Sequence, residues 1–276
     1  MKNNLTVFDC TLREVGYQTG WYFDSSFATD VYKFAHGKGI DYIELGFFHN
    51  ELADPNRGVF RYSSEKNEEI NKIFSPVKNW TKISSMRDIQ RPLSKLVPQK
   101  DSVIDTIRII TRSHETNLEE LARQIEDVQQ NGYELFINYT SAGYNSIEKN
   151  IEFAQFSKKH GIEVVYFADT ESVFTPDYVS NTIDAVKAEG IEVGMHLHDK
   201  NGTGEMLLDV ALSKGCRYTD ATLLGLGGKW HDGNIPLESL LKKIGVNGGY
   251  ELTRLKTLLI QQLIKYNEHS TAILED

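Results

Sequence analysis

His196 and His198 stand two residues apart at the end of an apolar alternation, Ile191, Val193 and Met195. That pattern predicts a β-strand finishing at the two histidines. Strand side chains two apart share a face and lie about 7 Å apart along it, so one divalent cation could accept both imidazoles. Gly202-Thr203-Gly204 then breaks the strand and opens a helix from Glu205 to Lys214. Other polar residues fall at the ends of apolar runs. Arg13 and Glu14 follow the first run, Leu5 to Thr11, and Glu44 interrupts Tyr42-Ile43-Glu44-Leu45-Gly46. A carboxylate inside such a run needs a polar site or an ion-pair partner, for which Arg13 is the candidate. Asn138 and Tyr139, Asp169 and Thr170, and Asp220 and Thr222 close later runs, the last pair followed by a loop from Gly225 to Asn234. Lys229 and His231 read as solvated loop residues. His36, His49, His114, His160 and His269 lack a strand-end setting and are assigned no chemistry. A histidine pair, an Arg-Glu pair and a buried glutamate on one rim read as one site.

The elements that would carry these residues repeat along the chain. Strands are expected at 5–11, 41–46, 81–86, 106–111, 134–139, 163–169, 192–198 and 218–223, and helices at 25–38, 65–74, 118–130, 146–159, 176–189 and 205–214. Repeated strand–helix units imply parallel strands with right-handed crossovers. Eight of them point to a (β/α)8 TIM barrel over about residues 4–246, in one domain with a C-terminal helical extension at about 251–268. An open doubly wound sheet is the alternative, weakened because no glycine-rich dinucleotide fingerprint follows the first strand. Phe47 to about Ser63 reads as an irregular insertion, and Gln90 to Val103 has little helical character. Val15 is expected to stiffen a tight turn after the first strand. The last helix carries Leu255, Leu258, Leu259, Leu263 and Ile264, a face for the barrel or for a homodimer.

Totals exclude several classes. The 276 residues are 40% hydrophobic and 25% charged, with a net charge of −9 and scattered basic residues, which argues against a nucleic-acid surface. No apolar run approaches the roughly 18 residues that span a bilayer, so no membrane partner is expected. The first residues lack the apolar core of a signal peptide, and Cys10 and Cys216 are too few for a disulfide framework; a cytoplasmic protein is expected.

Four motifs in order carry a family resemblance. Asp9-Cys-Thr-Leu-Arg-Glu-Val-Gly-Tyr17, Ile43-Glu-Leu-Gly46, His196-Leu-His-Asp-Lys-Asn-Gly202 and Asp220-Ala-Thr-Leu-Leu-Gly-Leu-Gly227 with Gly233-Asn234 resemble the signatures of the DRE-TIM metallolyases, the superfamily of HMG-CoA lyase-like and 4-hydroxy-2-oxovalerate aldolase-like domains. The resemblance implies that Glu14, His196 and His198 hold a divalent cation (Mn, Mg, Co or Zn), with Asn234 as a further ligand or a neighbour of one. It implies that Arg13 stabilises an enolate oxygen, that Glu44 orients Arg13 or a bound water, and that Tyr17 occupies the place of a histidine acting on the substrate hydroxyl. The chain departs from the pattern at Glu14, where the family has aspartate, and at Val15, where it has glycine. The 228–233 loop also lacks the cysteine of the acyl-CoA lyases.

The function so implied is a metal-dependent aldolase-type carbon–carbon lyase acting on a small 2-oxo acid through a pyruvate-like enolate. A Claisen-type acyl-CoA condensing enzyme or lyase on the same scaffold, and a non-catalytic barrel with a decayed metal site, are the alternatives.

Overall fold

The computed structural model describes residues 4–230 and 233–272. Eight parallel strands close into a barrel in chain order: β1 (Thr6–Asp9), β2 (Tyr42–Phe47), β3 (Lys82–Asp88), β4 (Thr106–Arg112), β5 (Glu134–Thr140), β6 (Val164–Ala168), β7 (Glu192–His196) and β8 (Tyr218–Ala221). Closure is made by β1 on β8, with Phe8 opposite Asp220, so the open-sheet alternative does not hold. Around it lie α1 (Thr11–Thr19), α2 (Ser25–Lys38), α3 (Asn67–Phe74), α4 (Leu118–Gln130), α5 (Ile147–Lys159), α6 (Pro176–Ala188), α7 (Gly204–Ser213), α8 (Leu237–Lys243) and α9 (Gly249–Tyr266).

The bounds most legible in sequence have explicit caps. Asn117, Ser146 and Thr175 accept backbone N–H bonds at the starts of α4, α5 and α6, and Gly39 ends α2 in the left-handed region at φ 74°. Between β3 and β4 the chain makes only a 3-10 turn at Gln99–Asp101, as the weak periodicity there suggested. The C-terminal helix α9 buries Leu255, Leu259 and Gln262 against the barrel, and Gln262 exchanges hydrogen bonds with Asp24 before α2.

The barrel interior is layered. At its amino end Phe8 stacks on Tyr42 at 4.1 Å between ring centroids, with Phe136 and Tyr166 edge-on at 5.7 and 5.8 Å. Above the aromatics lies a buried ionic layer, and above that the mouth at the strands' carboxyl ends. That is where barrels of this kind keep their chemistry, because loops there can vary without disturbing the core.

The chain leaves β1 directly into α1, a helix that the strand expectation through Thr11 had covered over. Asp9 Oδ1 accepts from both the backbone N–H and the hydroxyl of Thr11, at 2.9 and 2.5 Å, and sets that corner. Burial outweighs those bonds and raises the Asp9 carboxyl from 3.8 to about 6. A carboxyl raised in the folded state favours folding most below pH 3.8 and loses that contribution as pH climbs through 6. Asp9→Asn should therefore gain on wild type by on the order of 3 kcal/mol between pH 4 and pH 8, read from urea unfolding at the two pH values. A constant difference would show that Asp9 does not titrate on folding.

Candidate metal centre

Helix α1 sits in the barrel mouth rather than outside it, with Thr11 to Gly16 all buried. Its first turn delivers Arg13 and Glu14 to the centre, and the expected tight turn at Val15 is instead helix, in which a β-branched residue is tolerated. The extra methylene of Glu14 is accommodated: its carboxylate lies 3.1 Å from His196 Nε2. His196 ends β7, but His198 lies beyond the strand, bridged to Asn234, so the pair is not a simple strand alternation. Past the end of β7 the two Nε2 atoms nonetheless come to 3.1 Å, closer than the spacing along a strand.

Among the described residues, Glu14, His196 and His198 form the one group of acidic, histidine or cysteine side chains whose ligating atoms all lie within 4.8 Å of one another, and all three are buried. Several observations fit these residues to a divalent cation. Donor spacings of 3.1 Å suit cis ligands on bonds of about 2.1 Å. Asn234 Oδ1 is buried beside His198 without a hydrogen-bond partner. Charge also falls short. Two buried guanidiniums, Arg13 and Arg108, face three buried carboxylates, Glu14, Glu44 and Asp220, and a cation at the histidines would make up the deficit. Burial drives the Glu14 carboxyl up, but Arg13 and then His196 overcome it and leave Glu14 below the ordinary carboxylate range.

The imidazole of His196 is held from behind. Its Nδ1 lies 2.8 Å from Asp220 Oδ2, an ion-pair separation, while Nε2 faces Glu14 and His198. Burial lowers the His196 pKa, yet Asp220 and Glu14 together raise it above the free value. Arg108, fully buried on β4, holds Asp220 at 2.8 and 3.1 Å and Glu44 at 2.7 Å through two nitrogens. Its guanidinium lies 4.7 Å from the rings of Phe8 and Tyr166, so the aromatic layer supports the ionic one. Glu44 also accepts from Arg13 Nε at 2.6 Å and from Ser84 at 3.3 Å. With no exposure and its oxygens so engaged, Glu44 positions Arg13, as the ion-pair reading expected, and does not face the cavity. Arg13 Nη2 remains buried without a partner and lines the cavity.

That cavity, of about 570 Å³, is bounded by Arg13, Glu14, Tyr17, His196 and His198 at its deep end. Tyr17 packs edge-on to Trp21 at 4.8 Å, its hydroxyl raised by burial, with Arg61 pulling the other way. The opposite wall comes from the 47–63 insertion. His49, assigned no chemistry, lies two residues past the end of β2, buried and lining the cavity. Arg108 was equally unforeseen, although it interrupts an apolar strand just as Glu44 does. Lys229 lines the cavity with Trp230, while His231 lies outside the described residues.

Gly227 backs Glu14 from the β8 loop, at φ 121°; a Cβ there would meet Glu14 Cβ at 2.4 Å and its carbonyl carbon at 2.8 Å. Gly227→Ala should therefore push α1 outward and weaken Mn(II) binding at least about tenfold, on top of a backbone strain of about 1–3 kcal/mol. Calorimetric titration of Mn(II) into both proteins would test this, and equal affinities would count against the placement of Glu14 among the ligands.

Comparison with known proteins agrees with this architecture. Residues 4–266 match the family model HMGL-like. A 4-hydroxy-2-oxovalerate aldolase of Pseudomonas putida is 30% identical over 165 residues, 56% of this chain and 45% of that protein. The cytosolic homocitrate synthase of Saccharomyces cerevisiae is 26% identical over 250 residues, 88% of this chain and 56% of that one. The chain thus spans about half the length of the curated relatives it matches. The N-terminal domain of a candidate aldolase from Bacteroides vulgatus superposes with a TM-score of 0.78 at 24% identity, covering 97% of this chain and 92% of that one, which is a likeness of fold. Among the described residues no helix is long and apolar enough to cross a membrane.

Proposed function

The chain belongs to the HMGL-like family, and from that membership we propose that it is a divalent-metal-dependent aldolase-type lyase that makes or breaks a carbon–carbon bond next to a 2-oxo acid. The observation that carries the reading is the convergence of Glu14, His196 and His198 beside an Arg13 with one unpartnered buried nitrogen. Glu14, His196 and His198 would hold the cation, with Asn234 beside them. When bound, it would act as a Lewis acid toward the carbonyl and carboxylate oxygens of the acid.

The chain's own residues supply the rest. Arg13, fixed by Glu44, directs Nη2 at the oxygen that becomes negative when the bond to the third carbon breaks, and its planar fork suits that oxygen. Pinning by Glu44 keeps this donor in place before charge develops, so little reorganisation is needed in the transition state. Tyr17 carries a protonated hydroxyl at neutral pH, since burial raises it. It is therefore a hydrogen-bond donor and proton-relay group for the substrate hydroxyl rather than a base in its own right. In cleavage the proton would leave the hydroxyl oxygen on the fourth carbon for Tyr17, which passes its own proton to solvent in the same relay. That carbon becomes an aldehyde carbonyl, and the electron pair of the broken bond between the third and fourth carbons passes to the pyruvate enolate. Protonation of the enolate at its methylene carbon completes the balance.

The experiment that tests this is deuterium exchange at the methyl group of pyruvate, in the protein supplied in turn with Mn, Mg, Co and Zn. It needs no second substrate. Exchange above the background of the free metals is expected with at least one cation; none with any of the four would overturn the reading.

A further inference from the structure

Pyruvate fills only a small part of a cavity of this size, and the wall opposite the metal ligands has a chemistry that no enolate requires. Four guanidiniums, Arg57, Arg61, Arg91 and Arg112, line it together with Lys229. Two carboxylates serve all four. Asp54 takes Arg61 at 2.7 Å and Arg57 at 3.4 Å, and Asp88 takes Arg112 at 2.8 Å with Arg91 at 3.9 Å. Of the remaining acids of the cavity, Glu115, half exposed beside His114, acts on Arg112, and Glu171 accepts from Ser141 beyond β5, so positive charge stays in excess on this face.

Arg61 is built into the wall rather than draped over it. Its guanidinium lies 4.0 Å from the Trp21 ring and 4.7 Å from that of Phe47, and its Nη1 is buried without a hydrogen-bond partner. Beside it His49, near the same Asp54 oxygen, leaves Nε2 buried and equally unpartnered. Buried polar groups with nothing to bond are costly, and two in one wall of an open cavity are accounted for by a ligand that bonds them. The local field agrees: burial lowers the Lys229 pKa, and repulsion from Arg91, Arg112 and Arg61 lowers it further, with Asp88 opposing.

We infer that this wall receives a second anionic group, a phosphate or a carboxylate, borne by the part of the substrate that departs as the aldehyde. The assignment to the aldehyde rests on the aldolase reading; the anion site itself does not. Arginine forks match either oxyanion in pairs, and a stacked, preorganised guanidinium loses little freedom on binding one.

Two matched pairs of acceptors test the inference with the metal-supplied full chain and pyruvate: D-glyceraldehyde 3-phosphate against D-glyceraldehyde, and succinic semialdehyde against butanal. In parallel, inorganic phosphate and malonate are titrated into the protein without added metal. Each measurement is repeated in Arg61→Gln and Arg112→Gln, and in Arg91→Gln/Lys229→Gln, whose side chains lie nearer solvent should the first two fail to fold. One charged acceptor should exceed its neutral partner at least tenfold in kcat/KM, the pair identifying phosphate or carboxylate. The variants should cut that preference at least threefold and weaken the matching inorganic anion to a similar degree. Ratios near one in both pairs would overturn the inference. Should neither aldol product nor pyruvate exchange appear, the aldolase reading fails and the titrations decide: phosphate or malonate binding weakened by the variants upholds the anion site, and binding absent or indifferent to them removes it.

Discussion

Replacing His196 with alanine should leave a folded barrel that no longer retains a divalent cation and exchanges the methyl hydrogens of pyruvate on the order of 10³-fold more slowly. The fold is expected to persist because Arg108 still holds Asp220 through both carboxylate oxygens after the imidazole is gone. The loss is large because His196 touches Glu14, His198 and Asp220 at once. Its Nε2 lies 3.1 Å from Glu14 and 3.1 Å from His198 Nε2, and its Nδ1 takes up Asp220. Glu14→Gln separates charge from shape, since it keeps the side chain's reach and removes the anion that a hard cation needs. It should likewise release the metal while the far-ultraviolet circular dichroism stays as in wild type. Metal content after gel filtration, together with the exchange rate, checks both variants. Wild-type metal retention in either one would exclude these residues as the ligand set.

The second large effect concerns stability. Arg108→Met should destabilise the protein by about 3–5 kcal/mol, because it leaves the Glu44 and Asp220 carboxylates buried without their shared partner. Both are now held below the ordinary carboxylate range: burial raises them, and Arg108, joined by Arg13 at Glu44 and by His196 at Asp220, more than reverses that. Adding Asp220→Asn to Arg108→Met should restore part of the loss, since one stranded charge is removed. The single variant Asp220→Asn should mainly weaken metal binding, by about 10–100-fold, through the lost support of His196 Nδ1. Urea unfolding gives the first comparison and Mn(II) titration the second. If Arg108→Met stays within about 1 kcal/mol of wild type, the ionic layer is not the support described above.

Taken together, these two effects give the barrel a division of labour along its axis. Aromatic rings close the amino end, an ionic layer stands on them, and the cluster of Glu14, His196 and His198 stands on the ionic layer. Rigidity under the histidines would keep Nε2 aimed at the mouth in the absence of any ligand.

The sequence by itself determined the barrel and singled out the histidine pair, to which the family resemblance added Glu14. Alternating apolar runs with helix caps at Asn117, Ser146 and Thr175 are local signals, and a hydrophobic period of two or 3.6 is set by backbone geometry whatever the distant partner. His196 and His198 were legible because imidazoles ended such a run, and Glu14 because its motif resembles a family signature. What only the tertiary structure decided is who stands behind and opposite them. Arg108 reaches Asp220 across 112 residues and Glu44 across 64, and no periodicity encodes which buried charge will find which once a sheet closes on itself. The continuation of β1 into α1 was concealed because Cys10-Thr11-Leu12 has as much strand as helix character, and burial in the mouth, not propensity, selects the helix. His49 and Arg61 lay in a stretch without period, so their meeting with Asp54 at the cavity wall became visible only when the insertion folded over β2. Local chemistry chooses the elements, and closure of the barrel chooses the neighbours.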